Sequence, residues 1–133
     1  MPIRPEEFYS AAQALNRLRP PLVSDEVCAR TMANRMYYAA YLAVREAIRI
    51  QVGNQTFDAR HIALVAALNH ASDPDVRALG ARLEALKAIR ETADYRINQS
   101  ISKFTAAVHL DHARFILDNA HKLMGRFPHI RRR

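Results

Sequence analysis

The chain has 133 residues, of which half are hydrophobic and a quarter are charged, as in an ordinary soluble globular domain that builds its own core. No apolar run approaches the ~20 residues that a membrane-crossing helix needs, and the first residues contain no stretch of signal-peptide type. The single Cys28 cannot form an internal disulfide, which suits a reducing compartment. We therefore expect a cytoplasmic protein with no membrane partner.

The formal net charge of +7 and the sequence pI of about 10.2 favour contact with polyanions, nucleic acid before membrane, although small basic proteins are common. Part of the excess charge lies in the last three arginines, 131–133. We predict a single domain over residues 1–133, with a core at 5–125 and a basic tail at 126–133.

Two helices are predicted in the first 53 residues. Pro5 with two acidic residues after it is a typical helix start, and the pair at 20–21 ends that helix because proline cannot continue it. Ser24 is a good cap for the second helix, which then runs without glycine or proline until Gly53.

The third and fourth helices have their own start signals. Asp58 is the predicted cap of the third, which ends at 69–72. Asp73 followed by Pro74 marks the start of the fourth, which continues to Tyr95.

The fifth helix follows a connection at 98–102, where Ser100 or Ser102 is the expected cap. Its apolar face runs from Phe104 to Leu123, and a glycine at 125 ends it. With no strand pattern in the sequence, these elements predict an all-α fold, an antiparallel helical bundle of about five helices.

The second helix is apolar on most of its faces, which is typical of the central helix of a bundle. Arg35 lies inside that apolar pattern and needs a buried acid or a wet cleft, since an unpaired buried charge is costly. Asp94 is the expected partner if the second and fourth helices pack together. Alternatively, Asp94 forms an ion pair with Arg90, one turn earlier on the same helix.

Two segments resemble the signatures of a known family. Residues 35–41, RMYYAAY, resemble the R-x-Y-Y-A-A-[FY] signature on the central helix of standalone bacterial and archaeal HEPN proteins. Residues 86–95, LKAIRETADY, resemble their L-x-x-x-R-x-x-A-D-Y block, and 113–115 resemble the A-x-F of their final helix. The resemblance spans about residues 24–125.

HEPN proteins are α-helical bundles that usually dimerise, and many are metal-independent ribonucleases. Several are toxins neutralised by a nucleotidyltransferase-like antitoxin encoded next to them. The resemblance therefore implies a homodimer that acts on RNA, with a nucleotidyltransferase-type antitoxin as partner and without a cofactor.

The family's catalytic pattern places a histidine five to seven residues after an arginine. The corresponding positions after Arg90 are Tyr95, Arg96 and Ile97. The resemblance implies Arg90 and Tyr95 as catalytic candidates at the phosphate, because arginine stabilises its charge and a phenol donates a hydrogen bond. With a pKa near 10, tyrosine is a poor base at pH 7, so acid–base chemistry requires a histidine from elsewhere, His61 or His70.

The same segments contain the expected binding and supporting residues, which are Arg35, Tyr38, Asp94 and Arg96. Tyrosines 37, 38 and 41 either pack in the core or stack on unpaired bases.

Two other patterns are given no functional weight. Arg114 and His121 match the arginine–histidine spacing, but they lie in the last helix, and such matches arise by chance in this composition. His109 and His112 are three residues apart on a helix, but no acid or cysteine completes a metal site, so no metal is predicted.

Two functions follow from the sequence. The first is a HEPN-like endoribonuclease or toxin with a degenerate motif. The alternative is a non-enzymatic helical module that binds a nucleotide or a nucleotidyltransferase-type protein.

Overall fold

The computed structural model describes residues 4–17, 23–53 and 55–130. In these ranges the secondary structure is helical, without strands, and confirms the predicted all-α bundle. No helix within them is long and apolar enough to cross a bilayer. The helices are α1 (Pro5–Arg17), α2 (Asp25–Val52), α3 (His61–Asn69), α4 (Pro74–Tyr95), α5 (Lys103–Val108) and α6 (Leu110–Asn119). The prolines at 20 and 21 lie outside the described residues.

Helix α2 is the centre of the bundle and packs against α1, α4, α5 and α6. Its fully buried large side chains are Met32, Met36, Tyr37, Val44 and Ile48. Because neighbouring helices cover it on several sides, the sequence of α2 has apolar residues nearly all the way round.

The predicted caps of α2 and α4 are confirmed. Ser24 Oγ accepts a hydrogen bond from the backbone N–H of Val27 at 3.1 Å, and Asp73 accepts one from the N–H of Asp75 at 2.9 Å. Gly53 ends α2 with φ of 63°, and its N–H donates to the carbonyl of Arg49. A residue with a side chain would be strained at that φ.

The prediction that Asp58 caps the third helix is wrong. Helix α3 begins at His61, and the residue in the cap position is Arg60, which makes no side-chain cap bond. The carboxylate of Asp58 is buried and instead binds Arg60, accepting from its backbone N–H at 3.0 Å and from Nη2 at 2.6 Å. Asp58 lies two residues before the cap position and therefore stabilises the turn that leads into α3.

The predicted fifth helix is divided in two. Helix α5 is capped by Ser102, whose Oγ accepts from the N–H of Thr105, and the helical ladder is interrupted at His109 before α6 begins. Helix α6 ends at Asn119, four residues before Leu123, and turns occupy the residues that follow.

The core extends beyond its predicted end at residue 125. Phe127 and Ile130 are buried in the main core cluster, so 126–130 are not a tail. Gln51 of α2 holds this segment, since its side-chain oxygen accepts from the N–H groups of Gly125 and Phe127 and its amide donates to the carbonyl of Phe127. Residues 131–133 lie outside the described part of the chain.

The connection from α4 to α5 is tied to α2 by Arg30 and Glu26. Nη1 of Arg30 donates to the carbonyls of Thr92 and Ala93 at the end of α4, and Nη2 donates to the carbonyl of Gln99. Glu26 accepts from the N–H of Ile101 and from Arg30 itself. These bonds satisfy carbonyls that a helix C-terminus otherwise leaves unpaired.

Helix α3 packs closely on α4 because residue 80 is a glycine. A Cβ at Gly80 would lie 2.8 Å from Cβ of Leu68 and 2.9 Å from Oδ1 of Asn69. This approach places the short α3 directly beside the second half of α4, where Arg90 lies.

Candidate functional site

Three tyrosines within a single turn of α2 surround a histidine from α3. The ring of His61 lies 3.9 Å from that of Tyr41, 5.3 Å from that of Tyr37 and 6.2 Å from that of Tyr38, measured between centroids. We call Tyr37, Tyr38 and Tyr41 the tyrosine cluster. Tyr41 follows Tyr38 by three residues and Tyr37 by four, and this helical spacing brings the three rings to one side of α2.

Two hydroxyls of the tyrosine cluster fix the position of His61. The hydroxyl of Tyr37 is hydrogen-bonded to Nδ1 of the imidazole, and the hydroxyl of Tyr41 donates to the carbonyl of Ala59 at 2.5 Å. The first bond orients the ring, and the second holds the backbone just before α3. The imidazole therefore has a defined direction.

The environment favours the neutral form of His61. Burial lowers the pKa of His61, and the positive charges of Arg90, Lys87 and Arg45 lower it further. Burial also raises the pKa of Tyr37, which therefore stays a neutral phenol. In the described ranges, Nε2 of His61 has no hydrogen-bond partner and is not a buried atom, so it is open to solvent. A neutral imidazole with one oriented and one free nitrogen is suited to proton transfer.

Arg90 contacts the same rings from α4. Nη2 of Arg90 donates to the hydroxyl of Tyr38 at 3.3 Å, and Cζ lies 5.7 Å from the ring centre of Tyr37 and 5.5 Å from that of Tyr38. Cation–π attraction at such distances stabilises a guanidinium that is partly removed from water. Burial opposes the charge, but Tyr38, Tyr95 and Asp94 together raise the pKa of Arg90 above its usual value. Arg90 is thus a permanent cation beside His61.

Asp94 is the anionic partner of Arg90. Its Oδ2 lies 2.8 Å from Nε of Arg90 and also accepts from the side-chain amide of Asn34 at 3.2 Å. The buried N–H at Nε is not aligned with the carboxylate oxygen and has no hydrogen bond of good geometry. Nη1 of Arg90 is neither buried nor hydrogen-bonded to any described residue. The pair therefore fixes the guanidinium while leaving donors free for an anion.

The predicted ion pair between Arg35 and Asp94 does not form. Arg35 is half-buried, donates to the side-chain oxygen of its neighbour Asn34 at 2.7 Å, and lies 5.7 Å from the ring centre of Phe8 in α1. Because Arg35 is partly exposed to solvent and lies against the ring of Phe8, its charge needs no buried acid. Asp94 pairs with Arg90 instead. A shallow depression of about 190 Å³ is lined by Arg35, Asn34 and Asp94, among others.

Tyr95 and Arg96 lie at the exposed end of α4. The ring centre of Tyr95 is 5.3 Å from Cζ of Arg90, and the residue is 69% exposed. Arg96 is also exposed and is the C-cap of α4. Tyr95 therefore extends the site from Arg90 toward solvent, whereas Arg96 makes no side-chain contact with it among the described residues.

The other histidines are elsewhere. His70 follows the last residue of α3, nine residues after His61, and lines a groove between α3 and α4 instead of the tyrosine cluster. His109 and His112 contact each other near the junction of α5 and α6, 5.5 Å between ring centres. No group of three metal-ligating side chains exists in the part of the chain that the structure describes.

The resemblance of 35–41 and 86–95 to the HEPN signatures indicated Arg90, Tyr38 and Tyr95, and the sequence offered His61 and His70 as equivalent sources of a proton. It contained no signal that Tyr37 and Tyr41 hold His61 or that Asn34 binds Asp94. Those contacts join residues from 18 to 60 positions apart, beyond the reach of helical periodicity.

A comparison of the chain with models of protein families, with curated proteins and with solved structures found no match.

Proposed function

We propose that this protein acts on RNA as a metal-independent endoribonuclease, with Arg90 at the scissile phosphate and His61 as the proton acceptor. The observation that carries the proposal is the shared environment of these two residues. Neutral His61 on α3 and the permanently charged Arg90 on α4 both contact the rings of Tyr37 and Tyr38. Cleavage of RNA by its own 2′-hydroxyl needs this combination of a base and a cation.

In the reaction, Nε2 of His61 takes the proton of the 2′-hydroxyl while the 2′-oxygen forms a bond to phosphorus. The bond from phosphorus to the 5′-oxygen breaks, and the leaving oxygen takes a proton from solvent. The products are a 2′,3′-cyclic phosphate and a 5′-hydroxyl. Base function requires the tautomer in which Nδ1–H donates to the oxygen of Tyr37, leaving the lone pair on Nε2.

Arg90 stabilises the negative charge that grows on the phosphate oxygens. Its free Nη1 and remaining Nη2 hydrogen are the donors, and Asp94 and Tyr38 hold the guanidinium in position. Tyr95, exposed beside Arg90, donates to the phosphate or stacks on an unpaired base. Arg35 and Arg96 supply positive charge for neighbouring phosphates, in keeping with the net charge of +7.

The resemblance of 35–41 and 86–95 to the HEPN signatures supports the same proposal from the sequence. In a HEPN ribonuclease the proton acceptor follows the arginine on one helix, whereas here we assign that role to His61 on α3. A toxin role, with a nucleotidyltransferase-type antitoxin as partner, follows from the resemblance alone.

The test is cleavage of end-labelled single-stranded RNA in the presence of a chelator by wild type and two variants, Arg90→Ala and His61→Ala. We expect both variants to lose at least about a hundredfold in rate, since a positioned proton-transfer group contributes about 10²–10⁴-fold. Arg114→Ala is the matched control, because Arg114 is an exposed helical arginine paired with an acid one turn away. It should cleave as wild type does.

The outcomes separate the two function classes. Cleavage that survives both substitutions would overturn the proposed site. Salt-sensitive RNA binding without cleavage would leave a nucleic-acid-binding module, and the absence of binding at low salt would exclude RNA and favour a protein partner.

One observation favours a protein contact as well. Three large apolar residues between the end of α4 and the end of α5 are exposed by half or more: Ile97, Phe104 and Val108. Monomeric proteins rarely leave large contiguous apolar surfaces uncovered. We assign this surface to a two-fold homodimer contact burying at least about 1,000 Å² in total.

Light scattering at tens of micromolar tests the homodimer. The expected mass is twice the 15.1 kDa of one chain, and Phe104→Ser should reduce it to that of the monomer. A wild-type particle of 15.1 kDa would refute the dimer.

A further inference from the structure

A groove between α3 and α4 has a volume of about 370 Å³. This volume lies in the range of about 300–1,000 Å³ that small-molecule sites occupy. Its walls include the apolar side chains of Val65, Ala66 and Ala88, and its polar groups are Asn69, His70, Glu84, Lys87 and Glu91. A groove lined by apolar and polar side chains in about equal number is suited to a flat, polar ring.

Two residues that line the groove, Lys87 and Glu91, lie within one turn of Arg90 on α4. Lys87 acts electrostatically on His61, and Glu91 does so on Tyr37. Lys87 and Glu91 pair with each other at 2.5 Å and flank Arg90 in sequence on α4. A nucleotide whose phosphate lies at Arg90 can therefore extend its base into the groove.

Glu84 is a carboxylate of defined orientation at this groove. Its Oε2 accepts from the side-chain amide of Asn69 at 2.7 Å, and a Cβ at Gly80 would lie only 2.9 Å from Oδ1 of Asn69. The side-chain amide of Asn69 thus lies against α4 at Gly80 and is hydrogen-bonded one turn later to Glu84. The second carboxylate oxygen, Oε1, has no side-chain partner within the described ranges, and a carboxylate accepts hydrogen bonds at both oxygens.

We propose that the α3–α4 groove binds the guanine base of a nucleotide next to the scissile phosphate, with Glu84 accepting from its Watson–Crick edge. Guanine presents two adjacent donors there, the N1–H and the 2-amino group, which match the two oxygens of one carboxylate. Adenine presents an acceptor at N1, which a carboxylate repels, and hypoxanthine lacks the 2-amino group. The inference rests on the proposed function, since the groove selects the RNA that Arg90 and His61 would cleave.

The first experiment measures binding of GMP, IMP and AMP to the full chain at low salt by calorimetry. Wild type should bind GMP about tenfold more tightly than AMP, with IMP between them, because one bidentate base contact gives discrimination of this order. Glu84→Gln should bind GMP no better than AMP, since an amide cannot accept from both donors. Glu46→Gln is the control, because Glu46 is another exposed helical carboxylate with a single neighbouring side-chain partner, and it should keep the preference.

The second experiment maps cleavage of an RNA that contains one guanosine, and compares it with the same RNA containing inosine or adenosine at that position. Cleavage should concentrate next to guanosine in wild type and lose that preference in Glu84→Gln. Equal binding of GMP and AMP by wild type, or a preference that survives Glu84→Gln, would overturn the assignment of the groove. Cleavage without base preference would refute only the groove, whereas GMP selectivity without cleavage would refute the proposed ribonuclease.

Discussion

The imidazole of His61 lies flat on the ring of Tyr41, with 3.9 Å between the ring centres and 10° between the planes. Tyr41 also donates to the carbonyl of Ala59, so one residue of α2 supports both the ring and the backbone that precedes it. An imidazole exchanges protons at its two ring nitrogens. In His61, Nδ1 is hydrogen-bonded to Tyr37, and Nε2 is open to solvent.

The first prediction concerns the pH dependence of cleavage. Burial and the charges of Arg90 and Lys87 lower the pKa of His61 below its usual value near 6.5. Because a base must be neutral, kcat/KM should be constant at neutral pH and fall on acidification with an apparent pKa below about 6.5. A pH–rate profile on single-stranded RNA measures this. An acid limb centred above pH 7 would mean that a different group accepts the proton.

The second prediction concerns Tyr37, which positions His61. Removal of its hydroxyl in Tyr37→Phe leaves Nδ1 of the half-buried His61 without a partner, which should cost about 1–3 kcal/mol of unfolding free energy. It should also lower kcat more than it raises KM, because the imidazole loses its orientation rather than its contact with RNA.

Tyr9→Phe is the control for Tyr37→Phe. Tyr9 is buried, but its hydroxyl has no hydrogen-bond partner among the described side chains and backbone groups, so kcat should not change. Equal losses of kcat in the two variants would show that the effect of Tyr37→Phe is general loosening of the core.

The third prediction concerns Asp94→Ala. A buried Arg35–Asp94 pair would make this substitution cost about 3–5 kcal/mol. The observed partner is Arg90, one turn away, and the Asp94 side chain is 27% exposed, so we expect about 0.5–1 kcal/mol. Urea unfolding of wild type and variant decides, and a loss near the larger figure would contradict the observed pairing. The rate of RNA cleavage by the folded variant should also fall, because the guanidinium of Arg90 loses the carboxylate that holds it in position.

The fourth prediction concerns Arg30, which binds carbonyls at the end of α4 and beyond it. Arg30→Ala removes the hydrogen bonds to Thr92, Ala93 and Gln99, and should cost about 2–4 kcal/mol, given about 1 kcal/mol for each such bond. Arg49→Ala is the matched control on the same helix, since Arg49 is exposed and its one ion pair among the described residues is with Glu46. It should cost less than about 1 kcal/mol. Equal midpoints of thermal unfolding for the two variants would refute the role of Arg30.

The sequence by itself determined the helical class and most helix boundaries. Ser24 and Asp73 act within two or three residues of themselves, so their capping role is visible in the local pattern. The all-round apolar surface of α2 likewise indicated a central helix, because burial on several faces leaves a composition that needs no partner to be recognised. The ion pair between Arg90 and Asp94 was one of two alternatives, and helical spacing alone was enough to propose it.

Only the tertiary structure decided which distant residues meet. Asp58 resembles a cap, yet the chain turns once more before α3, and its carboxylate binds Arg60 instead. His61 and His70 were equivalent in the sequence, and the close packing of α3 on α4 at Gly80, with the hydrogen bond between Tyr37 and Nδ1 of His61, brings only His61 into the tyrosine cluster. The physical reason is that local signals encode dihedral angles and amphipathic faces, whereas the position of one helix along another depends on side-chain volumes that no single segment contains.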